Sequence, residues 1–413
     1  MIFKNLINTK KVFAWSLYDF AGQPFTTIVV TFIYSSFFIK NIAYNETVGT
    51  QMWSNSIAIS AIIVAFLSPI FGAIADKGSL RKILLMIFTL ICCVATMALY
   101  FPVAGQVYFS LILFVIANVS YEICSVFYNS YLPDISNSKN TGAISGFAWG
   151  LGFFGGIIAL FLINYFFDFD NLLNVRKTNI FVGIWFLIFS IPLFVFMKDS
   201  VSLSARNLYF KKSFKSILNT FRLISKNKII LNFLIARLFY NDGLITIFGL
   251  GGIYAVTTLD FTFSEVVKLA IVLNISAGLG SFIFGYIEDI IGYRKVINIS
   301  LIVLILATLI AFLAPMFIYS KEIFWFSGIL IGLMVGPNQS CSRSLMSQII
   351  PNNKKNEFFG FYSFTGKVTS FVGPFLFGVI TSFYSQQYAL WIVIILLLIG
   401  FIIFNRINFN SLN

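Results

Sequence analysis

Long apolar windows separated by short polar connections run along the whole chain. They predict twelve helices, over residues 12–38, 53–75, 82–101, 106–131, 142–166, 179–197, 229–256, 266–288, 295–315, 322–349, 357–383 and 388–405. A window of about 20 apolar residues is long enough to cross a ~30 Å hydrocarbon layer as a helix. The longest polar connection, KDSVSLSARNLYFKKSFKSILNTFRLISKNK at 198–228, divides the windows six and six. Its second half sets Phe210, Phe214, Ile217, Leu218, Phe221 and Ile224 at helical spacing against Lys211, Lys212, Lys215 and Arg222. Such a pattern is expected of a basic amphipathic helix on the inner membrane face, and a solvated linker would satisfy the charges equally. The expected organisation is an N-terminal six-helix bundle (1–197), a basic cytoplasmic linker (198–228) and a C-terminal six-helix bundle (229–413).

Composition agrees with lipid as the solvent. The 413 residues are 59% hydrophobic and 10% charged, with a mean hydropathy of +0.91, whereas soluble proteins carry about 25% charged residues. The start, MIFKNLINTKK, is basic, and the apolar run behind it is too long and too aromatic for a cleaved signal, so it is expected to be the first span. Most of the 28 Lys and Arg residues fall at the N-terminus and in the even-to-odd connections, and only Lys40, Arg176, Lys177, Lys268 and Lys321 lie in the other loops. Cytoplasmic loops are the basic ones, so both termini are expected to be cytoplasmic. The net charge of +13 therefore reads as topology. It is not interleaved with exposed aromatics on a soluble domain, as nucleic-acid binding would require. The four cysteines (Cys92, Cys93, Cys124, Cys341) lie in apolar runs, as packing residues do.

The halves resemble each other. GAIADKGSLRK (72–82) answers GYIEDIIGYRK (285–295), and Gly146 and Gly152 of SGFAWGLGFFGG match Gly360 and Gly366 of FGFYSFTGKVTS. Near-constant offsets argue for duplication, a mark of secondary transporters that work by alternating access.

G-x-x-x-D before a basic pair, on a short turn in each half, resembles the loop signature of the major facilitator superfamily. In the second copy Gly292 follows Asp289 by three residues; in the first, Ser79 stands at that position and the glycine, Gly78, comes one residue early. WSLYDFAGQPF (15–25), GPNQSCSRSLMSQIIP (336–351) and EFFGFYSFTGKVTSFVGP (357–374) together resemble the unknown-major-facilitator family, which includes the yeast autophagy-related vacuolar amino-acid effluxer. The resemblance spans nearly the whole chain. It implies an all-α integral membrane protein of twelve transmembrane helices in two six-helix bundles, the major facilitator fold. It also implies a cytoplasmic gate in which Asp76 and Asp289 pair with basic groups, here Arg81, Lys82, Arg294 and Lys295.

Six ionisable groups fall inside apolar windows: Asp19, Glu122, Arg237, Asp242, Arg343 and Lys367. Each costs ~2.5 to 3.5 kcal/mol at the bilayer centre, so they are expected to face one another or water. At ~1.5 Å per residue, five of them lie roughly 10 to 15 Å from the cytoplasmic end of their helices, and Asp242 roughly 20 Å. Each has polar company three or four residues away: Gln23 with Asp19; Asn118 and Ser125 with Glu122, Tyr121 lying beside that face; Asn241 with Arg237; Gln339 or Ser340 with Arg343; Ser363 and Ser370 with Lys367. These faces are the expected substrate site. Asn241-Asp242-Gly243 and GLGG (249–252) are expected to interrupt the seventh helix, or Asp242 to cap a broken half-helix. Gln23-Pro24 is expected to kink the first.

A site with both signs of charge suits a zwitterion, with its carboxylate on Arg343 or Lys367 and its ammonium on Glu122 or Asp19; Arg is shaped for bidentate carboxylate binding. With no histidine in the chain, a proton relay near neutral pH needs a buried carboxyl group, with Glu122 the first candidate and Asp19 the second. Sodium is the alternative coupling ion. No phosphate-binding G-x-x-x-x-G-K-[ST] loop supports ATP hydrolysis, and the missing histidines and the cysteine spacing leave no triad or zinc site. The sequence thus reads as a secondary carrier, not an enzyme. It is expected to move a small polar organic solute, an amino acid being favoured, with no cofactor or metal, as a monomer in a bacterial inner membrane. An organic-anion carrier and a non-transporting sensor or scaffold on a carrier fold are the alternatives.

Overall fold

The computed structural model describes residues 9–168, 171–199 and 209–409, the side chains of 209–215 and of Phe263 excepted. Expectations placed on Lys4, on Arg206 and on residues 200–208 fall outside the described residues. All regular structure described is helical: α1 Thr9–Pro24, α2 Glu46–Gly78, α3 Arg81–Ala98, α4 Val107–Asn129, α5 Thr141–Phe166, α6 Leu172–Phe196, α7 Tyr209–Lys226, α8 Lys228–Leu259, α9 Phe263–Ile291, α10 Tyr293–Leu313, α11 Ser320–Ile349, α12 Lys355–Lys367, α13 Val372–Phe383 and α14 Gln386–Asn405, with short one-turn pieces between. Side-chain caps start several of them, such as Asn45 accepting from Val48 N–H at 2.8 Å and the Thr262–Glu265 capping box of α9.

Among the described residues, eleven helical stretches are long and apolar enough to cross a membrane. The tenth expected span is not among them. It is present as α11, whose 30 residues reach about 45 Å, but Asn338, Gln339, Arg343 and a run of serines make it polar, and almost all of these are buried.

Three local expectations change. The seventh expected helix is not interrupted: α8 runs unbroken from Lys228 to Leu259 through Asn241-Asp242-Gly243 and the later glycines. Its polar side chains bond to neighbouring helices and leave its own backbone ladder intact. The break falls instead in the eleventh expected span, between α12 and α13. Pro374, which lacks an N–H, falls in the first turn of α13, where no intrahelical bond is lost. In the first span Pro24 ends regular α-helix, and Phe25–Phe32 continues as a π-helix. The Phe20 carbonyl, which the residue-24 N–H would otherwise bond, accepts from Trp185 Nε1 at 3.3 Å.

The chain forms two compact units. Unit one comprises the described parts of Met1–Ile135, Leu151–Ile217 and Asn352–Ser363; unit two comprises those of Ser136–Gly150, Leu218–Pro351 and Phe364–Asn413. α5, α7 and α12 therefore contribute residues to both. In unit one α4 packs on α2 and α3, α6 packs on α1 and α3, and the interior is aromatic, with Trp15, Phe25, Phe114, Phe127 and Phe186 fully buried. In unit two α8 packs on α14 and α13, and α11 on α9 and α10, around Tyr254, Phe261, Phe312, Phe324 and Phe377. Large apolar side chains such as Phe66, Val94, Phe161 and Val195 of unit one, or Ile283, Ile290 and Phe375 of unit two, are more than half exposed. Hydrocarbon solvates such faces; water would not.

The two repeated turns share one backbone device. At the matching position both copies have a positive φ: Gly292 has φ +88° with ψ 150°, a combination open to glycine, and Ser79 has φ +50° with ψ 41° in the left-handed region. A non-glycine residue there costs roughly 1 to 2 kcal/mol. Ser79→Gly is expected to raise the midpoint of thermal unfolding in detergent, and a lowered midpoint would refute the account of that turn.

Candidate functional site

In unit one the polar face of α1 forms because α5 presents almost no side chains to it. A Cβ on Gly152 would sit 3.3 Å from Asp19, one on Gly155 would sit 2.5 Å from the Phe20 carbonyl, and one on Gly156 would sit 2.8 Å from Thr27 Oγ1. Asp19, Gln23 and Thr27, four residues apart, thus share the face laid against those glycines. Asp19 and Gln23 stay half-buried. From α4, Tyr121 packs on Phe25 at 5.0 Å and on Phe186 at 6.1 Å, and a Cβ on Gly22, one turn after Asp19, would sit 3.5 Å from its hydroxyl. Asn118 is buried one turn away. Asp19, Gln23, Asn118, Tyr121 and Glu122 therefore belong to one polar patch of unit one, bordered by Tyr18, whose hydroxyl meets Thr89 Oγ1 at 2.6 Å, and by Trp15 stacked on Tyr128.

In unit two the buried cations are held individually. Arg343 is 2% exposed; its Nε donates to Ser145 Oγ at 3.0 Å and its Nη2 to the Ser145 carbonyl at 2.8 Å, and its guanidinium lies 5.6 Å from the Trp149 ring centre. Arg237 lies over Gly366, where a Cβ would come within 2.7 Å of Nη1. Gln339 Nε2 donates to Asn241 Oδ1 at 3.1 Å, and Asn241 Nδ2 donates to the Gly366 carbonyl at 3.0 Å. Lys367 is the last residue of α12. Arg237, Asn241, Gln339 and Lys367 therefore gather at the end of α12, while Arg343 is held by the start of α5.

Asp76 and Asp289 serve in a way that the basic-pair expectation did not anticipate. Asp76 accepts from the Asn356 N–H at 3.2 Å, from Asn356 Nδ2 at 2.7 Å and from the Glu357 N–H at 2.7 Å. Asp289 accepts from the Gly142 and Ala143 N–H groups at 2.8 and 2.9 Å. Each carboxylate therefore caps the second and third residues of a helix start, that of α12 or that of α5, where unsatisfied N–H groups and the helix dipole favour an anion. Neither makes an ion pair among the described residues. Arg81 instead bridges Asp134 at 2.7 Å and Asp199 at 3.1 Å and stacks on Tyr131, and the Lys82 N–H donates to Asp199 at 2.7 Å. Arg294 donates to the Asn405 carbonyl at 2.9 Å, and Lys295 is exposed. The reason is donor supply: backbone N–H groups at a helix start already fill the carboxylate oxygens.

The family follows from comparison with known proteins. Residues 51–411 match the family described as vacuole effluxer Atg22 like. The chain belongs to this family. An uncharacterized MFS-type transporter of Bacillus subtilis, YxiO, is 26% identical over 96% of this chain and 94% of its own length. Autophagy-related protein 22 of Kluyveromyces lactis is 24% identical over 85% of this chain and 78% of its own. The proton:xylose symporter XylE superposes with a TM-score of 0.75 at 13% identity, covering 95% of this chain and 94% of that one, and an outward-facing bacterial homologue of the iron transporter ferroportin does so at 0.72. At such identities the structures speak for the fold alone, which is the major facilitator fold. The protein is a multi-pass integral membrane transporter of the Atg22-like group, and it is not an enzyme.

Reading the sequence missed Ser145 and Trp149 as partners of Arg343, Asp134 and Asp199 as partners of Arg81, and Glu288. The last is 3% exposed, with neither carboxyl oxygen hydrogen-bonded among the described residues. Only the glycine register of SGFAWG hinted at the first pair; nothing local marked the others. Losing a side-chain cap costs about 0.5 to 2 kcal/mol. Asp76→Ala and Asp289→Ala are therefore expected to lower thermal unfolding midpoints in detergent, while Lys295→Ala stays within ~0.5 kcal/mol of wild type. Equal effects would contradict the capping role.

Proposed function

We propose that this Atg22-like transporter is a secondary carrier of a small polar organic solute, amino acids being the favoured class, that works by alternating access with a proton as coupling ion. The observation that carries the reading is that ionisable groups of both signs lie on polar helix faces within apolar spans. Asp19 and Glu122 of unit one are half-buried on helices that meet where Tyr121 packs against Gly22, while unit two buries Arg237, Arg343 and Asp242 and ends α12 on Lys367. The acids offer partners for an ammonium group and the cations for a carboxylate, and a purely structural set of charges would be replaced at no loss by apolar packing. Glu122, then Asp19, are the coupling candidates. The proposal includes twelve spans in two six-helix bundles joined by the basic linker, both termini in the cytoplasm, a monomer, and the bacterial cytoplasmic membrane as location. The Bacillus relative, matched over 96% of the chain, supports that location.

Uptake by proteoliposomes tests it, with an amino-acid and organic-acid panel measured with and without a pH gradient. Flux of at least one amino acid that rises with the gradient is expected. Glu122→Gln, Asp19→Asn and Lys367→Ala are each expected to cut it about tenfold or more, as loss of a charge-assisted bond worth ~1.5 to 3 kcal/mol implies. Absence of flux for every solute would sink the carrier, selective organic-acid flux would replace the substrate class, and indifference to the three substitutions would sink the site.

A further inference from the structure

The break between α12 and α13 leaves helix ends inside the apolar part of unit two. Two consecutive residues of the unbroken helix α8 attend to them. Asn241 Nδ2 donates to the Gly366 carbonyl at the end of α12, and Asp242 Oδ2 accepts the Gly373 N–H at 3.1 Å in the first turn of α13. The other donors of that turn are accounted for: the Val372 N–H bonds to the Thr369 carbonyl at 2.8 Å and the Phe375 N–H to the Phe371 carbonyl at 2.9 Å, and Pro374 has none. The cap residue of α13, Phe371, supplies no side-chain acceptor, so Asp242 fills that role from another helix.

The second carboxyl oxygen of Asp242 has no such use. The residue is 2% exposed, Oδ1 has no hydrogen-bond partner, and Asp242 makes no ion pair among the described residues. Its surroundings supply none. The α14 leucines Leu396 and Leu397 pack against Gly243 and Gly373, and Thr246 Oγ1 is spent on the Asp242 carbonyl at 2.8 Å. α13 bears no acid or base, and α14 has only Tyr388. On α8 itself Arg237 lies on Gly366. Of the other helices packed on α8, α11 brings Arg343, held by Ser145, besides Lys321, Glu322 and Cys341, and α9 brings Glu265, Lys268, Tyr286, Glu288 and Asp289. None of these bonds to Asp242. Lys367, at the end of α12, is the remaining charge beside the break.

We infer that Asp242 is a proton-binding position whose proton, taken on Oδ1, loosens the start of α13. As a carboxylate, Asp242 gives Gly373 a charge-assisted bond at a helix start, where an anion is favoured, but Oδ1 lies bare in an apolar setting, which is costly. As a carboxylic acid, it loses that cost, and its hold on Gly373 weakens to that of a neutral acceptor. Binding one proton thus neutralises one charge, breaks no covalent bond and changes the grip on one half-helix. Discontinuous helices are where carriers couple ions to movement. The coupling role rests on the carrier reading above and adds to Glu122 and Asp19 a carboxyl group tied to a break in the fold.

The test needs no substrate. Infrared difference spectra of the purified protein between acid and alkaline pH are expected to show a protonated-carboxyl C=O band that Asp242→Asn removes, whereas Glu122→Gln, Asp19→Asn and Glu288→Gln keep it. The asparagine retains an oxygen for Gly373. Should that variant not fold, Asp242→Glu is expected to shift the band. A band that persists in Asp242→Asn, or one that vanishes in Glu288→Gln instead, overturns the proposal. In proteoliposomes Asp242→Asn is expected to keep amino-acid exchange at equal pH and to lose gradient-driven accumulation to the level of protein-free liposomes. Retained accumulation overturns the coupling role. An assigned band without flux in the wild type supports the proton site and sinks the carrier reading.

Discussion

A backbone in hydrocarbon has no water to complete its hydrogen bonds, so every donor or acceptor that leaves a helical ladder must be met from within the protein. Much of this structure follows from that constraint. Pro24 removes one bond from the first span, and Trp185 of α6 turns its indole N–H to the Phe20 carbonyl. The eleventh span breaks just before Pro374, and Asn241 and Asp242 take up the Gly366 carbonyl and the Gly373 N–H. Asp76 and Asp289 do the same work at the starts of α12 and α5.

Seen this way, the charged groups of the chain divide by what they satisfy. Asp76, Asp289 and Asp242 answer backbone N–H groups, and a carboxylate suits the positive end of a helix whichever helix supplies it. Arg343 answers a serine hydroxyl and carbonyl, which fix the orientation of its fork. Asp19 lies on a face of α1 against which three glycines of α5 let the backbone pack closely. The duplication is preserved at this level too. The capping aspartates lie 213 positions apart and the residues they cap 214, and Ser79 and Gly292, also 213 apart, both have a positive φ.

The sequence by itself determined the solvent, the helical class, the repeat and the presence of ionisable groups within the apolar spans. Each rests on a property local to a window: apolar length, charge density, or a polar side chain recurring on one helical face. Tertiary structure alone decided which groups meet. Asn241-Asp242-Gly243 looks like a helix breaker, yet α8 passes through it unbroken, because those side chains bond across to α12 and α13 and the glycine packs against α14. Arg81 lies five residues after Asp76 in a motif that suggests their pairing, yet it serves Asp134 and Asp199, because a folded helix start supplies Asp76 with donors that no linear spacing records. Hydrogen-bond partners distant in the chain are set by how helices pack, and the pattern along one helix fixes only which face is offered.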